Sequence, residues 1–107
     1  MVQTENDKIF TELEAKHGEC ARLDVNGKMF VFRALSLDEF EDYHARARKA
    51  EVPGPINREF AQIALVHPAT LDDLRALFAR KPATPSIISD KLVAMAGAEI
   101  EFTTKKG

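Results

Sequence analysis

Glu19-Cys20-Ala21-Arg22-Leu23-Asp24-Val25-Asn26-Gly27-Lys28-Met29-Phe30-Val31-Phe32-Arg33-Ala34 is the stretch that decides the fold. Asn26-Gly27 stands between two runs of strand-forming residues. Both turn positions tolerate the positive φ of a type I′ turn, so a β-hairpin is predicted over 19–34. Pairing across that turn sets Val25 opposite Lys28, Leu23 opposite Phe30 and Ala21 opposite Phe32. One face is then Ala21, Leu23, Val25, Phe30 and Phe32, which is apolar throughout. The other face, with Cys20, Arg22, Asp24, Met29, Val31 and Arg33, is mixed. An isolated hairpin is marginal in water, so helices from the rest of the chain must cover the apolar face. Two coverings stay open for the mixed face: the N-terminal helix, or a partner drawn to surplus apolar surface. The hairpin's free edges could also add strands from a second subunit.

Upstream, Ile9, Phe10 and Leu13 lie at helical spacing among Lys8, Glu12 and Lys16. They predict an amphipathic helix over about Glu5 to His17, stopped by Gly18. Downstream, Ser36-Leu37-Asp38-Glu39 is a capping box opening a helix to about Ala50. Acids crowd the start of that helix and Arg46, Arg48 and Lys49 its end, as the macrodipole favours. Its expected inward stripe is Leu37, Phe40, His44 and Ala47. Pro53-Gly54-Pro55 breaks the chain, and a further helix is expected from Pro55 to Val66, ending before Pro68. Thr70 is read as the N-cap of a helix with Leu71, Leu74, Leu77 and Phe78 inward. Thr84-Pro85 is read as cap and first position of a last helix, with Ile88, Leu92 and Met95 inward and Gly97 as its C′ residue. The outline is an α+β, mostly helical fold: an N-terminal helix over 1–18, a hairpin-plus-helices core over 19–97, and a polar, frayed tail over 98–107.

With 107 residues, 45% hydrophobic and 30% charged, the composition is that of one globular domain. Fifteen Lys and Arg against seventeen Asp and Glu leave a net charge of −2. Such a balance argues against nucleic acid as the main partner, because phosphate binding needs clustered cations. No run of about twenty apolar residues suggests a membrane span. The polar, acidic start is unlike a signal peptide, and one cysteine, Cys20, suits a reducing compartment.

Residues that could carry chemistry are scattered. His17, His44, His67 and Cys20 show no metal-ligand spacing, so no metal or cofactor is expected. His44 reads as a half-buried core histidine and His67 as a helix-end residue. Cys20 has no base placed beside it and reads as a structural thiol. Asp38, Glu39, Glu41 and Asp42 are explained by helix capping rather than by paired-carboxylate catalysis. Arg46, Arg48 and Lys49 read as a solvated helix end. The expectation is a protein that binds rather than catalyses.

Phe30-Val31-Phe32-Arg33-Ala34-Leu35-Ser36-Leu37-Asp38-Glu39-Phe40 resembles a pattern in the tail assembly chaperones of long-tailed bacteriophages. There, a hairpin strand ends in aromatic-x-Arg-x-Leu-Ser/Thr and a helix opens with x-x-Glu-aromatic. Ala64-Leu65-Val66-His67-Pro68 is similar to a short apolar stretch ending in proline in that family. Leu71 to Phe78 and Pro85 to Gly97 look like its closing pair of helices. The resemblance spans about Leu23 to Gly97. A departure falls at His67, where many relatives carry an acid or a tyrosine. The resemblance implies a non-enzymatic role in the host cell cytoplasm: keeping the aggregation-prone tape-measure protein soluble while tail-tube subunits polymerise around it. The tail-tube protein is a second expected partner, and homo-oligomers are compatible with the role. It also implies a rarer frameshifted long form, with which Lys105-Lys106-Gly107 is compatible. The expected partner or self-association surface is Met29, Val31, Arg33, Phe40 and Tyr43, with Arg33 orienting the helix that follows. A minor structural or accessory protein retained in the virion is the alternative, and a small inhibitor of a host protein a third.

Overall fold

The structure is a computed structural model and describes residues 2–98. Helix α1 (Val2–His17) leads into strands β1 (Cys20–Val25) and β2 (Lys28–Arg33). Helices α2 (Leu37–Lys49) and α3 (Gly54–Ala64), strand β3 (Leu65–His67), and helices α4 (Asp72–Arg80) and α5 (Thr84–Val93) follow. The fold is α+β and mostly helical, as expected. The tail expected over 98–107 lies, from residue 99, outside the described residues.

The hairpin has the predicted register: Val25 faces Lys28, Leu23 faces Phe30 and Ala21 faces Phe32. Asn26 and Gly27 both take positive φ, 52° and 82°, as a type I′ turn requires. Gly18, also at positive φ, closes α1.

The sheet has a third strand, which corrects the expected helix over 55–66. Helix α3 stops at Ala64, and Leu65–His67 pairs antiparallel with β2 through Val31↔His67 and Phe32↔Leu65, with a register shift between them. Two local causes end the helix. The residue before a proline is pushed out of the α region, and Val66 is β-branched. An open β2 edge then offers hydrogen bonds that a last helical turn would leave unmade.

Strand order β1-β2-β3 makes β2 central, and both faces of it are buried. On one side Phe30 and Phe32 meet Ala61 and Ala64 of α3, Leu74, Leu77 and Phe78 of α4, and Ile88 and Leu92 of α5. The wholly buried Ala61 and Ala64 let α3 lie close against its neighbours. On the other side Cys20, Met29 and Val31 form a second cluster beneath Ile9, Phe10 and Leu13 of α1. The mixed face is therefore covered by this chain's own first helix.

Two expected helix starts shift. Leu71, packed on the core, occupies the N-cap place of α4 in a helical conformation with no side-chain cap, so Thr70 does not cap it. Thr84 lies inside α5 and is buried, with Ala83 at the N-cap. In both cases packing of one residue, Leu71 against the core and Thr84 into the interior, sets the start of the helix in place of a hydroxyl cap worth about 1 kcal/mol. At its other end α5 runs into a wide π-type turn over Ala94–Ala98, where Gly97 has φ 120°.

Helix α2 carries the expected capping box, but its stripe is rotated. Leu37 is 73% exposed and His44 is exposed, stacked on Phe40 at 5.9 Å. The half-buried residues are Glu39, Phe40, Tyr43, Arg46 and Ala47, so Phe40 and Ala47 of the expected stripe stay inward while Leu37 and His44 give way to Glu39, Tyr43 and Arg46. The cause sits at the N-terminus: Arg33 holds Glu39 through two bonds of 2.8 and 2.9 Å, which turns that side of the helix toward β2. Tyr43 then donates to Asn57 at 3.2 Å and meets the Phe60 ring edge-on. Arg46 pairs with Glu59 at 2.6 Å and lies over the same ring. No residue of α2 is buried, so polar contacts rather than a packed seam hold this helix.

Candidate functional site

The five residues expected to form a partner surface do not share one. Met29 is 4% exposed and Val31 is fully buried, both beneath α1 on the far side of the sheet. They are core, and an acid placed at either would be a buried, unpaired charge. Arg33 does pair with an acid of the first turn of α2, and that pair is half-buried and inward-facing. Its guanidinium also reaches the Ile63 carbonyl at 3.4 Å. The Glu39 carboxyl is held down to about 2, first by the hydrogen bonds from Arg33 and then by those from Ser36. Tyr43 is engaged with α3, and Phe40 is half-buried with the exposed His44 stacked on it.

A mostly apolar groove lies elsewhere, between the free edge of β1 and α5. It is a groove of about 230 Å³ walled by Ala21, Arg22 and Leu23 of β1, with Phe32 also lining it. Its other wall is Ile87, Ile88, Lys91 and Leu92 of α5. Each part follows from local rules. Residues 87, 88, 91 and 92 recur at i, i+1, i+4 and i+5, so they form one broad stripe of α5. Ile88 and Leu92 turn into the core while Ile87 stays 60% exposed at the rim. That exposure of a large aliphatic side chain beside other apolar groups is the strongest sign of a binding surface here.

The groove also borders a strand edge. A two-residue turn makes Val25↔Lys28, Leu23↔Phe30 and Ala21↔Phe32 the pairs that exchange backbone hydrogen bonds, and the Ala34 to Glu19 bond continues that alternation. The N–H and C=O groups of Arg22 and Asp24 therefore point out of the free edge of β1. Groove and edge together can take an extended segment by its backbone and its apolar side chains at once.

Charge around the groove is basic on balance only at Lys91. Arg22 is occupied, donating to Asp7 of α1 at 2.6 Å and to Asp24 at 2.9 Å, and its guanidinium lies over Phe10 at 6.0 Å. Those two carboxylates raise its pKa further. Lys91 makes no ion pair among the described residues.

The other titratable groups are set for packing. Burial, more than the nearby Glu14 and Glu19, pushes the Cys20 thiol up, which makes it a poorer nucleophile at neutral pH. Among the described residues no three His, Cys, Asp or Glu side chains gather as metal ligands would. No described helix is long and apolar enough to cross a membrane.

The sequence reading missed this groove for a simple reason. Ile87 sits next to Ile88, and periodicity alone assigns the pair to a core stripe without saying which one the hairpin leaves uncovered. The signal that could have found it was Ile87 itself, a second large aliphatic residue one position outside the Ile88-Leu92 row. The chain matches no protein-family model, and comparison with curated proteins and with solved structures finds no match either.

Proposed function

We propose that this protein is a non-enzymatic binding protein of the tail assembly chaperone type, which keeps a phage tape-measure protein soluble in the host cytoplasm during tail-tube assembly. The observation that carries the reading is the apolar groove at the free edge of β1, with Ile87 exposed on its rim. A shallow apolar trough on a small domain suits a partner that presents repeated apolar side chains and must later be displaced. A single site of this size gives weak binding per copy, and many copies along a long partner give strong coverage. The Arg33–Glu39 latch and the Ser36 capping box support the reading from the sequence side, since they build the strand-to-helix junction that carries the resemblance.

The test is to sequence the DNA downstream of the chain's gene and co-express with the chain any long helical protein encoded there. Ile87→Asp leaves the fold intact because the side chain is already mostly solvated, and it is expected to lower the soluble yield of the partner severalfold. An unchanged yield overturns the assignment to this groove. Stoichiometric recovery of the protein from purified particles overturns the chaperone reading in favour of a minor structural or accessory protein.

A further inference from the structure

The two edges of the sheet are finished differently. Strand β3 is three residues long and is followed at once by Pro68, which has no N–H to offer, so that edge is blunted. Strand β1 runs for six residues in unbroken register with β2, without proline, glycine or a bulge. Among the described residues no strand pairs with its other side. What it carries is charge: Arg22 and Asp24 lie on one face, two positions apart and opposite in sign. Charges of a single sign on an edge repel a second copy of that edge. An Arg and an Asp at this spacing do the reverse.

When two β1 strands pair antiparallel about a twofold axis at Leu23, Arg22 of each copy stands opposite Asp24 of the other. In this register the outward backbone groups of Arg22 and Asp24 meet, and each such pair exchanges both N–H···O=C bonds. Leu23 then faces its own counterpart at the closer, non-hydrogen-bonded spacing, and Ala21 faces Val25. All three belong to the apolar face, and Ile87, 60% exposed, rims that side. A slide of two residues in either direction sets Arg22 against Arg22 or Asp24 against Asp24, and like charges directly opposite destabilise a pairing. A slide of one residue leaves the outward groups facing none. One register satisfies backbone, charge and apolar face together.

We propose that this chain self-associates through β1 into a twofold dimer whose two sheets run on as one, with Leu23 at the centre of the seam and Arg22 of each copy paired with Asp24 of the other. A six-residue edge is small against the roughly 800 Å² per partner of a standard interface, so the pair forms and separates with concentration. The seam occupies the strand edge beside the groove, so an extended segment bound there displaces the second copy. This inference stands on the strand itself and is independent of the chaperone reading.

The experiment is sedimentation equilibrium and nuclear magnetic resonance on the full chain, from micromolar to millimolar concentration. A monomer–dimer equilibrium is expected, with contacts between the Leu23 side chains of differently labelled copies. The Arg22 and Asp24 amides are expected to exchange roughly tenfold or more slowly at the concentrated end than at the dilute end. Asp24→Arg, at a side chain 47% exposed, is expected to weaken the dimer roughly tenfold or more. Mixing that variant with Arg22→Asp restores opposite charges across both pairs and is expected to recover the affinity. The Val25 and Lys28 amides beside the turn report an intact hairpin in each variant. A chain that stays monomeric at millimolar concentration overturns the proposal. A dimer that leaves the Arg22 and Asp24 amides unprotected overturns it too and places the contact elsewhere. Protection of those amides that does not change with concentration overturns it in favour of a chain that covers its own edge. A mixture of folded variants that fails to associate overturns the register. The contacts and exchange in the native chain need no variant, so a variant that misfolds leaves the test standing.

Discussion

Glu39 joins three pieces of backbone with one carboxylate. Its oxygens accept from the Ser36 N–H at 2.9 Å and from both terminal nitrogens of Arg33, so strand β2, the loop and helix α2 meet at this side chain. Its pKa in the folded protein is lowered from 4.5 to about 2, chiefly by the Arg33 hydrogen bonds. A depressed folded pKa contributes stability above the unfolded value, and that contribution is lost as pH falls from about 4.5 toward 2. The group is partly solvated, so about 1–2 kcal/mol is a reasonable size for it. Glu39→Gln is expected to cost that much at pH 7 and close to nothing near pH 2, read from urea midpoints of both proteins across the range. A penalty that stays constant with pH would mean that shape rather than charge matters at this position.

Helix α1 is held at the element scale by few apolar contacts: Ile9, Phe10 and Leu13 over the lower hairpin face, with one ion pair from Asp7 to Arg22. Elements so attached open locally at less than the global free energy of unfolding. Cys20 lies beneath this helix, so its thiol reports the opening. Phe10→Ser is expected to accelerate modification of Cys20 by a thiol reagent roughly tenfold or more, while the far-side cluster around Phe30, Phe32 and Leu77 keeps its cooperative unfolding. An unchanged rate would show that the helix stays seated without its aromatic anchor.

Elements differed in how openly the sequence declared them. The hairpin register was legible because Asn26-Gly27 leaves one turn geometry, and a one-residue slip would have turned Phe30 and Phe32 under α1 and away from α3, α4 and α5. The capping box at Ser36 was legible for the same local reason. Strand β3 was not, since Leu65-Val66-His67 reads as the end of a helix until the open side of β2 is in place to bond it. The rotation of α2 was hidden as well, because the Arg33–Glu39 bond crosses from one element to another and outweighs the weak preference of Leu37 for burial. The groove was invisible for a related reason: exposure of Ile87 depends on how far α5 stands from the edge of β1.

For the molecule as a whole, the central strand ties two separate apolar layers together. Met29, Phe30, Val31 and Phe32 are consecutive buried residues, with side chains pointing alternately into one layer and the other. Both layers need this strand, and they are completed at different times during synthesis. Residues of α1 leave the ribosome before the hairpin and can cover Met29 and Val31 as soon as it forms. Phe30 and Phe32 wait for Ala61, Leu77 and Leu92, some thirty to sixty residues later, which is about 2–12 s at ordinary elongation rates. In that interval the nascent chain displays a short, uncharged, β-prone run that neighbouring chains can pair with. Lys28 and Arg33 stand immediately on either side of it, where charges discourage such pairing. In the finished protein Lys28 forms, among the described residues, only an exposed pair with Asp73, worth little to stability. Lys28→Ser is therefore expected to leave the urea midpoint of purified protein within about 0.5 kcal/mol of wild type, and to raise the insoluble fraction in expressing cells severalfold. On that view Lys28 guards the unfinished chain, and its service is over by the time the last helix closes.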